Sequence, residues 1–322
     1  MKLSVIIPTY NRPDDLVRLF DSILGQLDEP EEVIVVIGPE DERKSVIVAN
    51  EWATILTVMK FYEAERKSVI HSINLGFSKA RNEIICLLDD DVWLPPDWSI
   101  KIKKAFEREE KMGAFGGRDR LQIDIPGLAN PPLAKDVGIF NWSGHKGNHH
   151  CGSQKSPVKV DVIKGVNLSF RRSAFACMQI EPALEGNGAE TCWEVDICQR
   201  IILSGFYNLY DNNNYVLHFS SPRPSFDNRT DVFSAAWPKR IFNESFVMAR
   251  FRPATEFFIW ALRFFFIGTH VRPGIIWSII LFKTEGLKVL KLPWKNTVFM
   301  CRGVLNGLRK RQVVVNQFSN DE

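Results

Sequence analysis

Ile84-Ile85-Cys86-Leu87-Leu88-Asp89-Asp90-Asp91 is the stretch that decides the fold. Five apolar residues without a polar break predict a strand buried on both faces, and three successive carboxylates end it. Such strands belong to mostly parallel sheets covered by helices, in which ligands bind beyond the carboxyl ends of the strands. Three adjacent carboxylates repel one another, and a fold tolerates them when a cation or a set of donors neutralises the charge. Mg2+ or Mn2+ with oxygen ligands meets that need and commonly also holds substrate phosphates. A solvated acidic turn is the other reading of the same residues.

The flanking sequence supports the sheet. Residues 3–7 are an apolar run ended by Pro8; residues 2–8 are too short for a signal peptide and read as a strand. Arg12-Pro13-Asp14-Asp15 opens a helix, with proline in the first turn and acids where the helix dipole favours them. Leu16, Leu19, Phe20, Ile23, Leu24 and Leu27 continue it as an apolar face. Val33–Ile37 is a second buried strand, stopped by Gly38-Pro39. Residues 43–56 read as helix, 57–73 as one or two strands, Phe77–Glu83 as a short helix, and Pro96-Asp97 starts a helix through Lys111. Two strand ends then carry polar clusters, Thr9-Tyr10-Asn11-Arg12 and the aspartate trio. After Gly116-Gly117 the pattern fails: residues 118–158 are rich in Gly, Pro, Asn and His, a long loop of the kind that serves substrate. Order resumes with strands at Val160–Ile163 and Val166–Phe170, helices at 172–178 and 190–204, and a strand at Tyr215–Phe219.

Composition narrows the class. The chain has 322 residues, 45% of them hydrophobic and 25% charged, which excludes disordered and fibrous chains. Six cysteines without a CxxC pair argue against a disulfide framework or a structural zinc site and favour a reducing compartment. His149-His150 lacks further ligands at a recognised zinc spacing. The net charge of +3 hides an asymmetry: Arg250 to Arg311 holds twelve basic residues against Glu256 and Glu285, while the remainder is net acidic. Because that basic segment is also rich in Phe, Ile, Leu and Trp, it suits a membrane surface better than nucleic acid. A basic helical subdomain packed on the core is the competing reading. No uncharged apolar run reaches the length of a spanning helix.

Five segments, in order, resemble the inverting family-2 glycosyltransferases of the GT-A fold. Ser4-Val5-Ile6-Ile7-Pro8-Thr9-Tyr10-Asn11-Arg12 resembles the opening strand and nucleotide-contacting turn. Asn74-Leu75-Gly76-Phe77-Ser78-Lys79-Ala80-Arg81-Asn82 is similar to the family's N-x-G-x-x-x-A-R-N segment, and Leu87 to Asp91 to its D-x-D metal strand. Gly165 to Arg172 resembles the acceptor-side strand, and Glu194-Val195-Asp196-Ile197-Cys198-Gln199-Arg200 the start of the base-bearing helix. The likeness covers roughly residues 1–220.

The resemblance implies an α/β GT-A fold: a mostly parallel sheet flanked by helices, with a basic helical C-terminal extension. It divides the chain into a catalytic domain (1–225, nucleotide half 1–117, acceptor half 118–225), an extension (226–311) and a frayed tail (312–322). The implied reaction moves one hexosyl or deoxyhexosyl group from a nucleotide-diphosphate sugar to a saccharide or lipid-linked acceptor, as in single-addition bacterial glycosyl or rhamnosyl-type transferases. By the same likeness, Pro8, Thr9, Tyr10, Arg12, Arg81, Asp89 and Asp90 face the donor nucleotide. Asp91, Asp89 and His218 hold Mg2+ or Mn2+; Asn167 and Trp193 face the acceptor. The general base is Glu194, with Asp196 as second choice. The family's acidic pair after the second strand is replaced here by Ile37-Gly38-Pro39, with Glu40-Asp41 following late. No Q-x-x-R-W motif of processive synthases occurs. The implied location is cytoplasmic, peripheral on the inner membrane's cytoplasmic face through residues 250–311, with no nucleic-acid partner. A nucleotidyltransferase, or a non-catalytic membrane-binding relative, remains as the alternative.

Overall fold

The computed structural model describes residues 1–39, 44–122, 131–186, 188–219, 232–269 and 272–318, with side chains as far as residue 310. In chain order the first elements are β1 (Leu3–Thr9), α1 (Pro13–Leu24), β2 (Glu32–Ile37), α2 (Lys44–Ala53), β3 (Met59–Glu63), α3 (Val69–Lys79) and β4 (Ile84–Leu88). There follow β5 (Val92–Trp93), α4 (Trp98–Arg108), β6 (Met112–Leu121), a hairpin of β7 (Ile139–Asn141) and β8 (Gly144–Lys146), β9 (Val158–Val160), β10 (Asn167–Arg171), α5 (Trp193–Leu203) and β11 (Tyr207–His218). The chain divides into two compact units: residues 1–139, 146–180 and 194–222 form the first, and 140–145, 181–193 and 223–322 the second.

The first unit is built on one sheet in the order β3-β2-β1-β4-β10-β6-β11-β5, with β9 added on β11. It is parallel through β3, β2, β1 and β4, and again between β6 and β11; β10, β5 and β9 run antiparallel to their neighbours. Buried apolar residues run without interruption through β4 and from Val33 to Ile37 in β2, as strands covered on both faces require. Leu16, Leu19, Phe20 and Ile23 of α1 lie in the core, but the helix ends at Leu24, so Leu27 lies beyond it, exposed.

The sheet opens where the site forms. β1 pairs with β2 as far as Thr9↔Ile37, but with β4 only as far as Ile6↔Leu87. Pro8 has no N–H to extend a ladder. Because β2 lies on one side of β1 and β4 on the other, the connection order reverses here, and the crevice beyond β1 and β4 is the topological switch point.

Three expectations need correction. Residues 69–79 form a helix instead of belonging to a strand region, and it ends near where a helix from Phe77 was expected. The Ser68 hydroxyl caps it by accepting from the His71 N–H at 3.1 Å, and Ile70, Ile73 and Phe77 make its buried face. Gly76 lets this helix lie directly on β1: a Cβ there would stand 2.5 Å from Ile6 Cγ2. β11 begins at Tyr207 and is irregular between Asp211 and Val216, opposite Gly117, where any Cβ would collide with the Asn214 carbonyl. The loop from 118 contains the end of β6 and the strands β7, β8 and β9; its residues 123–130 lie outside the described residues.

The second unit contains α6 (Ala236–Phe251), α7 (Ala254–Phe266), the short strands β12 (Gly268–Thr269) and β13 (Arg272–Pro273), α8 (Ile275–Glu285) and α9 (Leu292–Phe318). The helical C-terminal region expected from the sequence is thus present. Residues 319–322 of the expected tail lie outside the described residues. Glu181 and Arg250 form a buried ion pair at 3.0 Å, and the Asn243 side chain holds the backbone of Glu185 and Thr191. α6 and α9 touch backbone to backbone: a Cβ on Gly303 or Gly307 would meet the carbonyl oxygen of Phe242 or Phe246 at 2.3 or 2.4 Å. Gly303→Ala should therefore cost about 1–3 kcal/mol by overpacking, read as a lower urea midpoint. An unchanged midpoint would show that the two helices part easily.

Candidate active site

The aspartate trio leaves β4 into the crevice, and two other strands complete the site. Thr9 Oγ1 donates to Asp90 Oδ2 at 2.7 Å. Asn11 takes a left-handed backbone (φ 57°), which asparagine tolerates, and the following Arg12 donates from Nη1 to Asp90 Oδ1 at 2.7 Å and Asp91 Oδ2 at 3.2 Å. β5 then turns antiparallel to β11, with Val92 opposite His218, and the Phe219 N–H donates to the Asp91 carbonyl at 2.9 Å. That pairing sets His218 Nε2 3.2 Å from Asp91 Oδ1. One ligand atom from each of Asp89, Asp91 and His218 falls within 4.8 Å of the others.

The electrostatics follow from crowding in a poorly solvated place. Burial, and then the charge of Asp91, raise the Asp89 carboxyl above its ordinary range. Burial pushes Asp90 up to about 6 despite the opposing pull of Arg12. Burial alone would lower Arg12, but Asp90 and Asp91 hold its guanidinium well above its ordinary value. Burial would likewise lower His218, yet Asp119 and Asp91 raise it to about 9.

The remaining predicted residues fall into two groups. Pro8, Thr9, Tyr10 and Arg12 stand at the crevice. Tyr10 lies against Gly38, where a Cβ would be 2.9 Å from Cδ2, and its hydroxyl accepts from Lys67 Nζ at 3.0 Å. Glu40-Asp41 lie outside the described residues. Arg81 is brought to a different place: its N–H donates to Glu32 Oε2 at 2.9 Å, before the start of β4 and at the opposite end of the sheet from the trio. Its side chain is 75% exposed there, a position that corrects the expected nucleotide contact. Asn167 is fully buried: Oδ1 accepts from the Trp98 indole at 3.0 Å and Nδ2 donates to the Asn214 carbonyl at 2.7 Å. Both ends of its amide brace the core, with none left toward an acceptor. Trp193 is buried and opens α5, which is entered through Cys192 in a left-handed conformation (φ 68°). Glu194, in the first turn, is half-buried; Asp196 is fully buried and paired with Arg200 at 3.3 Å.

Residues 4–178 match the sequence profile of Glycosyl transferase family 2. The chain belongs to this family. This family-2 glycosyltransferase is 28% identical over 248 residues to the glucosyl-dolichyl phosphate glucuronosyltransferase of Haloferax volcanii, covering 74% of this chain and 75% of that one. It is 27% identical over 253 residues to the O-antigen chain rhamnosyltransferase RfbN of Salmonella typhimurium, covering 74% of each. Among solved structures, the mannosyltransferase PcManGT of Pyrobaculum calidifontis, in complex with GDP-Man and Mn2+, superposes with a TM-score of 0.52 at 16% identity over 97% of this chain and 87% of that one. That likeness shows the shared GT-A fold. Membership as an enzyme sets aside both the nucleotidyltransferase and the non-catalytic readings.

Two groups in the glycosyltransferase's crevice escaped the sequence reading. Lys67 precedes the Ser68 cap and reaches Tyr10; nothing in a charged loop marked it out. Asp119 is fully buried on β6, bonded to the Lys164 ammonium and facing His218 Nδ1 at 3.5 Å. Burial would raise its carboxyl, but His218 and Lys164 hold it well below the usual range. Its signal was the period-two continuation of β6 past Gly117, hidden because the strand looked finished there. For Asn167→Leu, loss of the partners of Trp98 and of the Asn214 carbonyl should cost about 1–3 kcal/mol by denaturant unfolding. A neutral result would mean that this amide does not brace the core.

Proposed function

We propose that this chain is a metal-dependent inverting glycosyltransferase that moves one sugar from a nucleotide-diphosphate sugar to a hydroxyl of a saccharide or lipid-linked saccharide. The observation that carries this is the convergence of Asp89, Asp91 and His218 at the switch-point crevice. Two carboxylates and one imidazole are a donor set suited to Mg2+ or Mn2+, so the residues fit the ion. The Mn2+ and GDP-Man of the PcManGT complex support the same reading, and the names of the Haloferax and Salmonella relatives support a lipid-linked or polysaccharide acceptor. Residues 1–225 are read as the catalytic domain and 226–311 as its extension.

A divalent cation held by Asp89, Asp91 and His218 would supply positive charge against the diphosphate leaving group. Asp90, latched by Thr9 and Arg12, fixes the turn that carries the two ligating aspartates. Tyr10 and Lys67 line the nucleotide side of the crevice. Glu194 takes the proton from the acceptor hydroxyl, whose oxygen attacks the anomeric carbon from the face opposite the departing diphosphate. One displacement inverts that centre. Its half-buried position in the first turn of α5 favours Glu194 over the fully buried Asp196. With Mn2+, Asp91→Ala should lose donor turnover and the nucleotide-dependent thermal shift. Glu194→Gln should keep the shift but lose at least about 100-fold in transfer. Turnover indifferent to Asp91 would sink the metal reading.

The exposed side chains of the second unit support a membrane-surface location. Among the described residues, sixteen of twenty-four exposed large hydrophobic side chains lie between Phe258 and Leu308. α8 is inside out for a water-soluble helix: Ser278 is buried while Ile276, Ile279 and Ile280 are exposed. Lys283, Lys288, Lys291 and Lys295 follow, the pairing of apolar face and positive charge that suits an anionic lipid surface. No described helix is long and apolar enough to cross a membrane. The protein should float with phosphatidylglycerol vesicles, and Phe258→Asp with Ile279→Asp should abolish flotation while leaving the melting temperature unchanged. Equal flotation of this variant would refute the surface.

A further inference from the structure

We infer that Asp119, anchored by Lys164, is a positioning residue that turns His218 so that Nε2 faces Asp89 and Asp91. The inference rests on the metal reading proposed above and adds a group to it that no motif supplies. β6 and β11 pair in parallel with Val216 opposite Asp119, so Asp119 and His218 project from the same face of the sheet, two residues apart along the ladder. His218 stands between two carboxylates: Nε2 is 3.2 Å from Asp91 Oδ1, and Nδ1 is 3.5 Å from Asp119 Oδ2, the outer limit of a hydrogen bond. Neither His218 Nδ1 nor Asp119 Oδ1 has a hydrogen-bond partner among the described residues. Lys164 bonds Asp119 Oδ2, the same oxygen that faces the ring, and so anchors the carboxylate.

A ligating imidazole carries one proton, on the nitrogen that faces away from the ion. Asp119 is the acceptor placed to receive it, which selects the Nδ1–H tautomer and leaves the Nε2 lone pair directed at the acidic pair. Thr9, Arg12 and Phe219 secure the aspartates. The histidine reaches the aspartates from β11, and Asp119 meets it from the adjacent β6.

The test is Mn2+ binding to the full chain, followed by the paramagnetic resonance of free Mn2+, without donor or turnover. Asp91→Ala should remove the site, and Asp119→Ala should weaken Mn2+ by about 10–100-fold. Nitrogen-15 spectra of wild type with Mg2+ should show the His218 proton on Nδ1. A folded Asp119→Ala with wild-type Mn2+ affinity would overturn the inference while leaving the metal site standing. Wild type that binds no Mn2+ would overturn the metal reading itself. If Asp119→Ala does not fold, the tautomer decides: a proton on Nε2 in the Mg2+ form refutes the positioning role.

Discussion

Like-charge repulsion at the end of β4 is the constraint around which the first unit is arranged. Two carboxylates about 4 Å apart repel by roughly 4 kcal/mol at an effective dielectric near 20, and here three share one strand end. The fold meets this with groups from two directions: Thr9 and Arg12 from the end of β1, and His218 from β11. None is a neighbour of the trio in sequence, except through the β5 pairing that begins one residue after Asp91. A sheet that placed β1, β4 and β11 differently would leave the charge uncompensated. The topology and the chemistry are therefore one requirement.

The three aspartates are made unequal by what surrounds them. Asp90 is engaged on both oxygens, by the Thr9 hydroxyl and the Arg12 guanidinium, and acts as a latch between β1 and β4. Asp89 and Asp91 gather instead with His218, although Asp91 also shares the Arg12 guanidinium. An identical run of residues thus separates into one structural and two ligand-like carboxylates through burial and partners alone. Burial and pairing likewise distinguish Asp196, fully buried and held by Arg200, from the half-buried Glu194 two residues earlier.

Legibility in the sequence followed the range of the interactions. The buried strands β1, β2 and β4 could be read because continuous apolar runs ended by proline, glycine or aspartate are local signals. α3 was misread because Val69, Ile70 and Ile73 favour strands, whereas burial against β1 through Gly76 decided for helix. The acidic trio and His218 could be picked out as ligand types at strand ends. Asp119 could not, since its place beside His218 arises from the β6–β11 register, a pairing of residues about a hundred positions apart, nor could Lys164, which meets Asp119 from the segment between β9 and β10. Arg81 and Asn167 were drawn toward substrate by motif likeness; Glu32, Trp98 and the Asn214 carbonyl claim them instead.

The C-terminal unit obeys the opposite rule from the sheet. Fully burying a leucine, isoleucine or phenylalanine side chain is worth about 1.5–3 kcal/mol, so a water-soluble helix turns such residues inward. α6 does this, from Trp237 through Ile241 and Phe246. α8 does not: its serine is inside and its isoleucines outside. Helices in one unit thus follow contrary patterns, and the exposed isoleucines of α8 are the feature on which the proposed lipid-surface contact rests.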